Sequence, residues 1–86
     1  MPTISSFYGI LIRMYYDEHG PPHFHVEYQG YSASIDIEAL EIRAGNLPRR
    51  ALNLVLDWAE LHQDELRANW TRIEQGQQLN AIRPLE

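Results

Sequence analysis

Three of the chain's four histidines, His19, His23 and His25, stand within seven residues of one another in the stretch Glu18-His19-Gly20-Pro21-Pro22-His23-Phe24-His25-Val26-Glu27-Tyr28. Imidazole changes charge near neutral pH and is the commonest metal ligand, so this group is suited to proton transfer or to coordination. His23, His25 and Glu27 alternate with Phe24, Val26 and Tyr28, which is the period of a strand with one polar and one apolar face. On such a strand His-x-His puts both rings on one side, and His19 from the preceding loop would complete a three-histidine set for a divalent transition metal such as zinc.

The neighbouring elements must hold that face in place. Pro21-Pro22 fixes φ and removes backbone donors, so Gly20-Pro21-Pro22 is an extended lead-in that no helix crosses. Residues Phe7 to Tyr16, rich in aromatic and branched side chains, predict a first strand, with Asp17 to Pro22 as the turn. After the histidine strand, Gln29-Gly30 predicts a two-residue connection into a third strand from Tyr31 to about Ile37. That turn sets the register: Tyr28 faces Tyr31, Val26 faces Ala33, Phe24 faces Ile35, His25 faces Ser34 and His23 faces Asp36. Setting Tyr16 opposite Phe24 keeps the first strand's apolar parity on the same side, and brings Tyr15 beside His25 and Arg13 beside Glu27.

The expected polar face therefore carries Arg13, Tyr15, His23, His25, Glu27, Ser32, Ser34 and Asp36. Asp36 is placed as a fourth metal ligand beside His19, His23 and His25, or as the carboxylate that orients an imidazole. Without a metal, His23, His25, Tyr15 and Arg13 could position a phosphodiester, take up a proton and stabilise developing charge, as a small ribonuclease requires. Each reading has a plainer alternative. Exposed histidines on a polar strand need no metal, and Arg13 with Glu27 is equally a surface ion pair worth little.

Residues 38–43 are expected to hold at most a short fourth strand around Leu40 and Ile42, before a turn at Gly45-Asn46. Asn46 is a suitable N-cap and Pro48 is tolerated in a first helical turn, so a helix should begin near Leu47. Ala51, Val55, Trp58, Ala59, His62, Leu66, Trp70 and Ile73 keep helical phase with no proline or glycine before Gly76. This predicts one long helix, or two bent near His62 to Asp64, with His62 as a core histidine and Trp58 and Trp70 as core anchors. The segment Ala81-Ile82-Arg83-Pro84-Leu85 is apolar enough to dock back, as an edge strand where its proline does no harm. The fold class that follows is α+β: a three- to four-stranded antiparallel sheet packed on one face by a long C-terminal helix. The histidine face is left without a covering layer.

Eighty-six residues make a single domain, 1–86, whose core is adequate but thin. No window is long and apolar enough to span a membrane, Met1-Pro2-Thr3-Ile4 lacks the features of a secretory signal, and the chain has no cysteine, so a cytoplasmic location is expected. The lack of cysteine also removes thiolate metal sites and a cysteine nucleophile. A net charge of −5 disfavours a broad nucleic-acid footprint while leaving a local one open. All seven basic residues are arginine, for which compositional bias is the simplest explanation. Arg49-Arg50 at the helix start opposes the helix dipole and hints at an acidic partner.

Met1-Pro2-Thr3-Ile4, His19-Gly20-Pro21-Pro22-His23-Phe24-His25, Gly45-Asn46-Leu47-Pro48-Arg49, Trp58, Glu65-Leu66 with Trp70, and Ile82-Arg83-Pro84-Leu85 together resemble the small bacterial proteins of domain-of-unknown-function family 4160. The resemblance covers essentially the whole chain and implies no assigned activity. It does imply a partner. Members of that family often stand in a two-gene unit beside another small protein, of family 2442, in an organisation that resembles toxin–antitoxin modules. The expected function is thus an interaction component of such a module, paired with the neighbouring gene's product or with a second copy of itself. The competing expectation is a histidine-based or metal-dependent phosphodiester hydrolase.

Overall fold

In the computed structural model, which describes residues 2–86, seven elements follow one another: β1 (Thr3–Phe7), β2 (Ile10–Arg13), β3 (His23–Tyr28), β4 (Tyr31–Asp36), β5 (Ile42–Gly45), α1 (Arg49–Leu61) and α2 (Gln63–Glu74). Met1, the first residue of the N-terminal motif, lies outside the described residues. The strands form one antiparallel sheet in the order β1-β2-β3-β4-β5, so every neighbour in space is a neighbour in sequence. Both helices contribute to the core on one face of this sheet, which is the expected α+β arrangement with one or two more strands than the three or four anticipated.

The extra strand comes from a turn inside the segment expected to be a single strand. Tyr8 and Gly9 both have positive φ, 50° and 78°, the geometry of a two-residue hairpin, and Phe7 pairs with Ile10 across it. Tyr8 accordingly projects into solvent instead of joining the buried parity. At the other side of the sheet, β5 pairs with β4 through Ile42 opposite Ile35 and Gly45 opposite Ala33.

The β3–β4 hairpin has the anticipated register throughout, from Tyr28 opposite Tyr31 to His23 opposite Asp36. Gln29 and Gly30 supply the turn with φ of 47° and 84°. The β2–β3 register differs by two residues: Arg13, not Tyr15, stands opposite His25. Strand β2 stops at Arg13 and the chain departs through Tyr15 and Tyr16, so Tyr16 is exposed instead of packing opposite Phe24. Because strand side chains alternate with period two, this slip leaves every face assignment unchanged.

The core joins Ile10, Ile12, Met14, Phe24, Val26, Ile35 and Ile37 of the sheet side to Val55, Trp58, Ala59, Leu66, Trp70 and Ile73 of the helices. Burial of such side chains contributes about 1.5–3 kcal/mol each, which is why the helices settle on the sheet despite weak capping. Helix α1 starts at Arg49, after Pro48 in an extended conformation, with no side-chain cap and no acid in its first turn; Asn46 instead donates its backbone N–H to Ser32 O. The helical stretch breaks at His62, whose φ of −120° and ψ of 24° leave the helical region. Gln63 then donates to the Ile37 carbonyl at 2.7 Å and Arg67 pairs with Glu38, tying the start of α2 to the end of the sheet. His62 lies at the margin of the core, beside the Trp58 ring and bonded through Nδ1 to Glu65 at 2.6 Å.

The C-terminal segment docks as expected, without forming a strand. Ile82 donates its N–H to Ile4 O on the outer edge of β1 and buries its side chain. Trp58 Nε1 donates to Arg83 O at 2.9 Å. The fully buried Asn69 grips Asn80, donating to its carbonyl at 2.9 Å and accepting from its N–H at 3.0 Å.

Candidate functional site: a carboxylate between two histidines

His23 and His25 project from the start of β3 on the side away from Phe24 and Val26, as alternation requires. Their ring centroids are 5.3 Å apart. His23 is 95 % buried, packed against the Trp70 ring at 5.2 Å, and its Nδ1 lies 2.9 Å from the Pro21 carbonyl. That carbonyl accepts only, so Nδ1 carries the hydrogen and Nε2 turns to the opposite side. Pro21-Pro22 therefore does more than stiffen the approach, because it presents the oxygen that orients His23.

The third member is Glu18. Its Oε1 lies 3.2 Å from His23 Nε2 and accepts a hydrogen bond from His25 Nε2. One donor atom from each of Glu18, His23 and His25 falls within 4.8 Å of the other two. Burial pushes the Glu18 carboxyl upward, but hydrogen bonds from His25 and His23, with the charge those rings can carry, outweigh it and hold the group below the usual carboxylate range.

Around this centre the Tyr15 ring stands edge-on to His25, with centroids 4.7 Å apart. Arg13, opposite His25 in the sheet, pairs through Nη1 with Glu27 at 3.0 Å, and its Nε is buried without a protein partner. Strands β2 and β3, with the chain just past β2, thus bring together His23, His25, Tyr15 and Arg13, the residues considered for acid–base work.

It does not bring His19 or Asp36 into the group considered for a metal. His19 is exposed on the loop, beyond Gly20 with its φ of 90°. Asp36 stands opposite His23 along the backbone, but its Oδ1 accepts from the N–H groups of Glu38 and Ala39 and closes the turn after β4. Glu18 takes the place expected of these two. Strand periodicity could not find it, because it comes from the loop between β2 and β3, where spacing says nothing about direction; its place beside the first histidine was the one available signal.

Fold and site define a small two-layer α+β domain with a histidine–carboxylate cluster at the start of β3, where Trp70 of α2 covers His23 and His25 stays part-exposed. Residues 9–71 match the family described as "Domain of unknown function (DUF4160)", and the chain belongs to it. No curated protein matches the chain. No solved structure matches it either. Among the described residues no helix is long and apolar enough to cross a membrane.

Proposed function

We propose that the chain is the recognition partner in a cytoplasmic two-protein, toxin–antitoxin-like module, and that it meets the neighbouring gene's product through the open face of its sheet. The observation that carries this reading is the one-sided covering of the sheet. Both helices pack on the apolar face, while the other face offers a shallow groove lined by Tyr15, His25, Glu27, Ser32, Ser34 and Ala44. A groove of mixed polar and aromatic character suits a protein partner, since non-obligate interfaces are about as apolar as other surface and are anchored by aromatic residues. The two-gene organisation implied by the family adds support. Co-expression with the neighbouring gene's product, followed by gel filtration with light scattering, tests it: a single hetero-complex is expected. Separate peaks for the two proteins sink the reading, and a peak at twice the chain's mass would make a second copy the partner.

A second reading, a phosphodiester hydrolase, is favoured by the meeting of Glu18 with His23 and His25 beside Tyr15 and Arg13. A carboxylate-bound imidazole can take up a proton, and Arg13, opposite His25 in the sheet, would supply positive charge for a phosphate bound there. In this reading RNA cleavage assayed with and without divalent metals is lost in His25→Ala, and no cleavage under any condition removes it.

A further inference from the structure

Both ring nitrogens of His23 face oxygens that only accept. Nδ1 meets the Pro21 carbonyl at 2.9 Å and Nε2 meets Glu18 Oε1 at 3.2 Å. A neutral imidazole has one N–H, so with Nδ1–H engaged, Nε2 turns a lone pair toward a carboxylate oxygen. His25 directs its own Nε2 to the same oxygen. The mismatch lies between His23 Nε2 and the Glu18 oxygen, two lone pairs 3.2 Å apart that a cation drawing on all three groups would satisfy.

We infer that Glu18, His23 and His25 form a three-donor site for a divalent first-row transition metal of the zinc class, bound through His23 Nε2, His25 Nε2 and the Glu18 carboxylate. Several observations support it. The donor chemistry, two imidazoles and one carboxylate, is that of borderline cations and excludes a thiolate-selecting ion. The 3.2 Å between His23 Nε2 and Glu18 Oε1 is near the separation of about 3.3 Å between two ligand atoms each near 2.0–2.1 Å from a tetrahedral ion, and the closer approach of His25 Nε2 to the same oxygen would open as an ion entered. The His23 Nδ1–H bond to a backbone carbonyl is the outer contact that fixes the tautomer and aim of a ligating histidine. His23 is held by burial against Trp70, so one ligand is set before the ion arrives. Three protein donors leave a fourth position open to water or another ligand.

This inference stands apart from the interaction reading and would supply the ion for a metal-dependent form of the hydrolase reading. The test uses the full chain, stripped with a chelator, in competition with a chromophoric chelator for Zn²⁺, and with Co²⁺ as a spectroscopic probe. One equivalent is expected to bind, with Co²⁺ giving the intense visible bands of a low-coordinate nitrogen–oxygen site. Glu18→Gln and His25→Gln, both at partly exposed positions where the fold is expected to survive, should each weaken binding by more than the roughly 10–100-fold that losing an outer contact costs. His19→Ala and Asp36→Asn should leave it within about twofold, since neither residue reaches the centre. Far-UV circular dichroism of each variant separates loss of a ligand from loss of fold. On Zn²⁺ addition the Nε2 resonances of His23 and His25, and not that of His19, should shift in a histidine-selective ¹⁵N spectrum. The inference is overturned if wild type and Glu18→Gln bind Zn²⁺ equally, if no stoichiometric binding occurs, or if His19→Ala abolishes binding while Glu18→Gln does not.

Discussion

Glu18 shows how a single side chain sets the pH response of the site. Its carboxyl is held below the usual range, so in the metal-free protein it stays ionised where the unfolded chain has already taken up a proton. The resulting contribution to stability is complete above the unfolded value of about 4.3 and is lost as pH falls through the folded value. Urea unfolding of wild type and Glu18→Gln, compared at about pH 6, 4 and 3, should show a difference that shrinks as the solution is acidified. A difference constant across that range would mean that the histidines do not stabilise the carboxylate. Gly45 gives a second residue-scale expectation. It has a φ of +77°, and a Cβ there would lie 2.2 Å from Ser32 O and 2.9 Å from Ala33 Cα, backbone atoms that cannot step aside. Gly45→Ala should cost well above the 1–2 kcal/mol or so of a left-handed residue. Gly76→Ala, with φ +68° and open space around it, should cost only that smaller amount. Equal midpoint shifts in denaturant would show that β5 moves freely away from β4. At this scale the sequence told that His23 and His25 share a face, because alternation is a property of the strand itself. It could not tell that Asp36 would spend its carboxylate on its own turn, or that Glu18 would fold back over the rings, because both depend on loop directions.

Among the elements, legibility followed the length of the connections. Gln29-Gly30 leaves no freedom, and the β3–β4 pairing was readable to the last residue pair. Residues 14–22, between β2 and β3, permit either of two registers with the same faces, and the chain adopts the one two residues away from that expected. Strand β1 went unread because its turn places a tyrosine, not the usual asparagine or glycine, at the first positive-φ position. The helix break was legible as a possibility near His62, and the bonds from Gln63 and Arg67 to the end of the sheet give it a cause. The C-terminal segment carries this scale's prediction. Asn69→Leu leaves the backbone groups of Asn80 without their partner and should destabilise the full chain by about 1–3 kcal/mol. In a chain ending at Gln78 the same substitution should cost almost nothing, so the two changes should couple strongly in a double-mutant cycle. Additive effects would mean that the Asn69–Asn80 bonds do not hold the segment in solution.

For the molecule as a whole, the core is continuous from β1 to the C-terminal segment, with Trp58 touching Phe7, Phe24 and the Arg83 carbonyl, and Trp70 touching His23. The two tryptophans thus report on both helices, the sheet and the chain's end. Thermal unfolding followed by tryptophan fluorescence and by far-UV circular dichroism should therefore trace a single coincident transition. Separate midpoints would divide α2 and its attachments from the rest. The chain has a radius of gyration of 11.7 Å, close to the roughly 12 Å usual for a domain of this length.

The bond from Ile82 to Ile4 has a consequence at a larger scale still. In the language of polymer chemistry, a sheet with two unpaired margins is a bifunctional monomer, able to add a neighbour at each side and grow without limit. By lying along β1, the C-terminal segment blocks one reactive end and leaves β5, four residues long, as the other. Growth by strand addition would then stop at a pair. A chain shortened to Gln78 should regain its second functionality, seen as light scattering that grows with time in concentrated solution where that of the full chain stays flat.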